Sequence, residues 1–109
     1  MEFGTLAGDY SVSRIIHGGW QFSEGHRLSG EAIDSTVDVL MASAELGVTT
    51  FDCADIYTGV EELYGRFLKK WASTSTACAL RVHTKFVPDY DALEQLDRSY
   101  VNDIIHRSL

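Results

Sequence analysis

Basic charge, cysteine and long apolar runs are all scarce in this sequence of 109 residues. Nine lysine and arginine residues stand against sixteen acidic ones, which gives a net charge of −7. Nucleic acids and anionic membrane surfaces both attract basic faces, so neither is expected as a partner. No stretch is long and apolar enough to span a bilayer, and the N-terminus lacks the basic and apolar pattern of a secretory signal.

The two cysteines, Cys53 and Cys78, lack the spacing of a metal site and lie in apolar, strand-like context. We therefore expect reduced, buried thiols in a cytoplasmic protein. A chain of 109 residues allows one domain, and an apolar content of 45% argues against disorder.

Hydrophobic patterning predicts a short hairpin followed by alternating strands and helices. The alternation favours right-handed βαβ units and a parallel sheet. The predicted hairpin has arms at 2–6 and 10–16, and its second arm continues to the glycine pair Gly18-Gly19. A loop at 21–30 follows, and then a helix that starts near Ser29 and Glu31 and stops at Gly47. The remaining predicted elements are a strand at 48–52, a helix at 60–71, a linker at 73–76, a strand at 78–87 ended by Pro88, and a helix capped by Asp97.

Three side chains suited to acid–base chemistry fall at the carboxyl ends of the predicted strands. Asp52 ends one strand, Tyr57 lies just beyond it, and Lys85 lies near the end of the next. Adjacent parallel strands lie about 4.8 Å apart, so Asp52 and Lys85 can pair across them. A nearby ammonium favours the phenolate of tyrosine, whose ordinary pKa is roughly 10. Tyr57 could then act as a general acid toward a carbonyl oxygen, with hydride supplied by a nicotinamide cofactor.

Each of these residues taken alone has an ordinary explanation as a turn, packing or solvated residue, so the hypothesis depends on the three together. A metal site is a weaker candidate. His17 and His83 could lie on neighbouring strands, with Cys53 close by, but a site normally needs three or more ligands at suitable geometry. We therefore expect core or cavity-lining histidines and no metal. The glycine pair does not form a G-x-G-x-x-G dinucleotide fingerprint.

The residues around the trio resemble the aldo-keto reductase family. The segments Gly47–Tyr57 and Glu61–Gly65 are similar to that family's first signature and its continuation. Three further segments resemble the first barrel strand, the strand that supplies the family's lysine, and the helix before the fourth strand: Val12–Trp20, Val82–Lys85 and Leu96–Leu109. There are three departures: Tyr64 replaces a smaller aliphatic residue, Gly19 replaces a threonine, and the loop before Glu61 is one residue longer.

The resemblance implies a parallel (β/α)8 barrel of the TIM type. Residues 1–109 would be its N-terminal part, with a short β-hairpin preceding the first three βα units. It also implies an oxidoreductase that reduces small-molecule aldehydes or ketones with NADPH. In that scheme Tyr57 is the proton donor, Lys85 lowers its pKa and Asp52 pairs with Lys85. Gly18, Gly19 and Trp20, together with Asp52, would bind the cofactor beside the nicotinamide ribose.

Chain length supplies the alternative interpretation. An eight-stranded barrel typically takes about 250 residues, so the later strands and the family's catalytic histidine are expected beyond residue 109. Parallel sheets normally need both faces covered, which predicts self-association through the uncovered sheet face. The alternative function is therefore that of a truncated, catalytically inactive relative acting as a binding or assembly module.

Overall fold

The computed structural model describes residues 1–26, 33–74 and 79–109. Its elements confirm the α/β class. No helix within those ranges is long and apolar enough to cross a membrane. The elements are β1 (Phe3–Ala7), β2 (Tyr10–Ser13), β3 (His17–Gly18), α1 (Ile33–Glu45), β4 (Thr50–Asp52), α2 (Val60–Thr74), β5 (Arg81–His83) and α3 (Arg98–Ser108), with 3-10 helices at Trp20–Phe22 and Tyr90–Gln95.

The first two strands form the predicted antiparallel hairpin. Gly8 in its turn has a φ of 55°, a left-handed conformation that glycine adopts without steric cost. The second arm was expected to continue toward Trp20, and this was wrong. It ends at Ser13, whose hydroxyl donates to the carbonyl of Ile15 at 2.7 Å as the chain bends away. β3 is consequently a separate strand in the second sheet.

The second sheet is parallel, with the order β3-β4-β5. Its register aligns Gly18 with Asp52 and Asp52 with His83. Because β4 lies in the middle, His17 and His83 flank it, and the expectation that their strands are neighbours was wrong. The last strand covers Arg81–His83 and not the whole of 78–87. Residue 78 lies outside the described residues.

Helices α1 and α2 pack against each other, and their apolar side chains form one buried cluster with Phe51 of β4. Phe51 of β4 meets Phe67 edge-to-face with ring centroids 4.9 Å apart. Gly47, with a φ of 94°, ends α1 as predicted, while Ser29 and Glu31 lie outside the described residues. The buried core cluster comprises Val37, Leu40, Ala44, Val48, Phe51, Cys53, Val60, Leu63, Tyr64, Phe67 and Trp71.

Two predicted boundaries were wrong. Ser73 and Thr74 belong to α2 and not to a linker, and both hydroxyls donate to the Lys70 carbonyl, at 2.8 and 2.9 Å, within the last helical turn. The predicted loop at 21–30 begins inside a 3-10 helix, Trp20–Phe22. Residues 75 and 76 of the predicted linker and residues 27–30 of the predicted loop lie outside the described residues. By contrast, Asp97 caps α3 as predicted, accepting from the Tyr100 N–H at 2.8 Å.

Gly19 lies in close contact with the backbone of Asp52. A Cβ added there would lie 2.7 Å from the Asp52 carbonyl oxygen and 2.7 Å from the Tyr64 hydroxyl.

Gly19→Ala should therefore destabilise the fold by about 1–3 kcal/mol, the usual cost of overpacking. Urea unfolding measures this. Gly65→Ala is the matched control, because its Cβ meets nothing within 4 Å and alanine favours α2 by about 0.5–1 kcal/mol. Equal effects at both sites would contradict the packing described here.

Candidate active site at the ends of β4 and β5

Asp52 and Lys85 form an ion pair at the carboxyl edge of the parallel sheet. The Lys85 Nζ donates to both carboxylate oxygens of Asp52, at 2.9 and 3.0 Å. It also donates to the Cys53 carbonyl at 2.7 Å. The two charged side chains are 46% and 40% exposed, so the pair is fixed by protein on one side and open to solvent on the other.

Tyr57 lies beside this pair. The Lys85 ammonium is over the Tyr57 ring, 5.1 Å from its centroid. The loop after β4 fixes the tyrosine, since its N–H donates to the Ala54 carbonyl at 3.0 Å and its own carbonyl accepts from Val60 at 2.9 Å. The Tyr57 ring is partly buried and packs against the hydrophobic core cluster, and this contact fixes its position.

The environment of Lys85 keeps it protonated. Partial burial lowers its pKa, but the hydrogen bond and the negative charge of Asp52 outweigh this. The net result is that the pKa of Lys85 lies above its ordinary value, and the site holds a permanent cation at neutral pH.

The end of β3 and the residues that follow it reach the same edge of the sheet. Gly18 is aligned with Asp52, and Gly19 is buried beneath the Asp52 carbonyl. Trp20 is 54% exposed, and its ring lies 3.9 Å from that of His26. The structure thus brings together, at one edge, the six residues named from the sequence: Gly18, Gly19, Trp20, Asp52, Tyr57 and Lys85.

A family model of the Aldo/keto reductase family matches residues 14–109. The chain belongs to this family. It is also 38% identical over 70 residues to the uncharacterized oxidoreductase YcsN of Bacillus subtilis (strain 168), an overlap of 62% of this chain and 22% of that protein. The chain therefore spans about a fifth of the length of this curated relative.

In this aldo/keto reductase chain, the buried Tyr64 contacts the backbone of Asp52 and the ring of Phe51. Its hydroxyl donates to the Asp52 carbonyl at 3.3 Å, and its ring packs edge-to-face on Phe51. Burial raises the pKa of Tyr64, and the negative charge of Asp52 adds to the rise, so the phenol stays neutral. The residue that departs from the family pattern thus supports the backbone of Asp52.

Sequence reasoning also missed two carboxylates that hold the Lys85 segment. Asp55 Oδ1 accepts from the Val87 N–H at 3.0 Å, and Glu61 Oε1 accepts from the Thr84 hydroxyl at 2.6 Å. The sequence signals for Asp55 are its place within the segment Gly47–Tyr57 and its position in the loop just after a strand end, and the second is equally typical of an ordinary turn residue.

The two strand histidines have separate partners. His83 Nε2 shares a hydrogen bond of 2.7 Å with the Tyr10 hydroxyl, while His17 stacks on Phe51 with ring centroids 5.8 Å apart. Burial lowers the pKa of His17. Within residues 1–26, 33–74 and 79–109, no group of three or more histidine, cysteine, aspartate or glutamate side chains could hold a metal ion.

The outer surface holds a cavity that does not include the trio. It has a volume of about 580 Å³ and lies between α1 and α2. Its lining includes Asp38 and Lys70, which form an ion pair with each other at 2.6 Å. We place the candidate site at the sheet edge because the proton-donating and cationic groups converge there.

Because the Cys53 thiol is buried beside the site, we expect the free energy of unfolding to fall in alkaline solution. Burial raises its pKa to about 11, above the ordinary value of 9.0. The unfolded chain loses this proton first, so the stabilisation is complete below pH 9 and falls as the pH rises toward 11. The loss should be on the order of 2 kcal/mol, measured by urea unfolding from pH 8 to 11. Cys53→Ala should reduce this slope and leave the smaller loss above pH 10 that the raised pKa of Tyr64 contributes, and an unchanged slope would contradict this account.

Proposed function

We propose that this chain carries the proton-donating centre of an NADPH-dependent oxidoreductase that reduces aldehydes or ketones. The observation behind this proposal is the convergence of Asp52, Lys85 and Tyr57, with the Lys85 ammonium bonded to Asp52 at 2.9 and 3.0 Å and lying over the Tyr57 ring. Family membership supports the same chemistry, as does the relative described as an oxidoreductase.

Each member of the trio has one task in this proposal. Tyr57 donates its phenolic proton to the substrate's carbonyl oxygen as general acid. Lys85 stabilises the phenolate that remains, because a cation next to a developing anion lowers its energy in a partly desolvated site. Asp52 keeps Lys85 protonated and fixes the direction of its side chain, as the raised pKa of Lys85 indicates.

The end of β3 and the residues that follow it fit a nicotinamide cofactor. Gly18 has no side chain, the Asp52 carboxylate is 40% exposed, and Trp20 presents an exposed aromatic ring near the same edge. Asp52 can accept hydrogen bonds from ribose hydroxyls, and Trp20 with the glycine backbone would hold the nicotinamide end. When bound, NADPH supplies the hydride that no side chain can supply.

The fold proposal follows from the order of elements. We propose that residues 1–109 are the N-terminal part of a (β/α)8 barrel domain, in which β3, β4 and β5 with α1, α2 and α3 form three consecutive βα units. The hairpin of β1 and β2 precedes them. Barrel enzymes place working residues at the carboxyl ends of their strands, where the trio lies.

Fluorescence titration with NADPH tests the proposal, followed by turnover of a test aldehyde such as 4-nitrobenzaldehyde. The proposed function predicts saturable binding, weakened in Asp52→Asn, and production of the alcohol. Asp91→Asn is the matched control, because it lies in a 3-10 helix outside the site. Absence of binding would overturn the proposal and favour the alternative, an inactive relative acting as a binding or assembly module.

A further inference from the structure

The loop that carries Tyr57 and the segment that carries Lys85 are joined by hydrogen bonds beyond the regular sheet. β5 ends at His83, so Lys85 lies past the last strand residue. The Asp55 N–H donates to the Lys85 carbonyl at 3.1 Å, and the Asp55 carboxylate accepts from the Val87 N–H at 3.0 Å. One residue of the Tyr57 loop therefore holds the Lys85 segment at two successive points.

Contacts on the other side of Lys85 complete the attachment. The Cys53 N–H donates to the His83 carbonyl at 2.7 Å. The Thr84 hydroxyl donates to Glu61, which lies in the first turn of α2. The main chain is therefore held both before and after Lys85. The position of that main chain decides whether its side chain reaches Asp52.

We propose that Asp55 is a positioning residue for Lys85: its carboxylate, through the Val87 N–H, fixes the Lys85 segment to the Tyr57 loop and so places the ammonium between Asp52 and Tyr57. The role of that ammonium rests on the proposed function, but its placement does not. A side-chain oxygen at this position suits the task, because it supplies the acceptor that the Val87 backbone N–H needs outside the regular sheet.

Two substitutions separate this role from a simple effect of negative charge near Lys85. Asp55→Asn removes the charge and keeps an oxygen acceptor in the same place. Asp55→Glu keeps the charge and displaces the carboxylate by one methylene. A positioning role predicts normal behaviour for Asp55→Asn and a loosened site for Asp55→Glu. A charge effect predicts the reverse.

The measurements use the full chain, isotopically labelled, and do not depend on activity. Amide hydrogen exchange at Val87 reports the hydrogen bond, and carbon-13 NMR of the Lys85 Cε reports its titration. In Asp55→Glu we expect Val87 to exchange about tenfold faster. The pKa of Lys85 should also fall toward the ordinary lysine value. In Asp55→Asn both should match the wild type, as should both in the controls Asp91→Asn and Asp91→Glu.

The inference is overturned if Asp55→Glu behaves like the wild type, or if Asp55→Asn moves the Lys85 titration as far as Asp55→Glu does. Should Asp55→Glu fail to fold, Asp55→Ala replaces it: faster exchange at Val87 supports the role, and wild-type exchange overturns it. If the chain reduces aldehydes, Asp55→Glu should also lower kcat while the KM for NADPH changes by less than about twofold. A chain without activity would count against the proposed function and leave the NMR result to decide the role of Asp55.

Discussion

Replacing Tyr57 by phenylalanine should lower NADPH-dependent aldehyde reduction by about 10²–10⁴-fold, the usual contribution of a positioned general acid. The phenyl ring can keep the packing against the core and the contact with the Lys85 ammonium, which lies 5.1 Å from the ring centroid. Only the transferable proton is lost. The effect should therefore fall on kcat, with little change in NADPH binding, and steady-state kinetics with fluorescence titration measures both.

Tyr90→Phe provides the control for this experiment. Tyr90 is 87% exposed and lies in the 3-10 helix before α3, away from the trio, so removing its hydroxyl should leave the rate unchanged. A Tyr57→Phe variant that reduces the aldehyde at the wild-type rate would remove Tyr57 from the proposed role. Lys85 and Asp52 would then need a different function.

Replacing Phe67 by alanine should destabilise the domain by about 3–5 kcal/mol. Phe67 is fully buried and packs edge-to-face on Phe51, the residue before Asp52 in β4. The substitution leaves a cavity between α2 and the sheet, directly behind the strand that carries the site. Because small domains have only about 5–15 kcal/mol of total stability, much of this variant should unfold in mild urea.

Phe3→Ala is the matched comparison, because Phe3 is 52% exposed in the hairpin. It should cost less than about 1 kcal/mol, as surface substitutions usually do. Equal destabilisation by the two substitutions, measured by urea unfolding, would contradict the placement of the core between the helices and β4.

The sequence was sufficient to predict the pairing of Asp52 with Lys85. Both residues follow apolar strand segments, and parallel strands bring their carboxyl ends to one edge, so a contact across 33 residues followed from local pattern alone. The helical faces of α1 and α2 were predictable for a similar reason, since a period of 3.6 residues indicates which side is buried.

Other features depend on tertiary contacts that no local pattern encodes. The hydrogen bond between Tyr10 and His83 joins residues 73 apart, and nothing near either residue indicates its partner. The sequence around Asp55 predicts a turn residue, and only the structure shows that its carboxylate accepts a hydrogen bond from the Val87 N–H. The length of β5 was overestimated, because Thr84, Phe86 and Val87 are apolar or β-branched enough to continue a strand. The hydrogen bonds of residues 84–87 go instead to a loop and to side chains.

The most direct test of the central claim uses NADPH carrying deuterium at C4 of the nicotinamide. The full chain is incubated with this cofactor and 4-nitrobenzaldehyde, and the alcohol is analysed by mass spectrometry. Our account predicts an alcohol with one deuterium on its carbinol carbon in the wild type, and almost none formed by Tyr57→Phe. Absence of labelled alcohol at saturating cofactor, or equal amounts from both proteins, would contradict the claim that Asp52, Lys85 and Tyr57 form the proton-donating centre of a reductase.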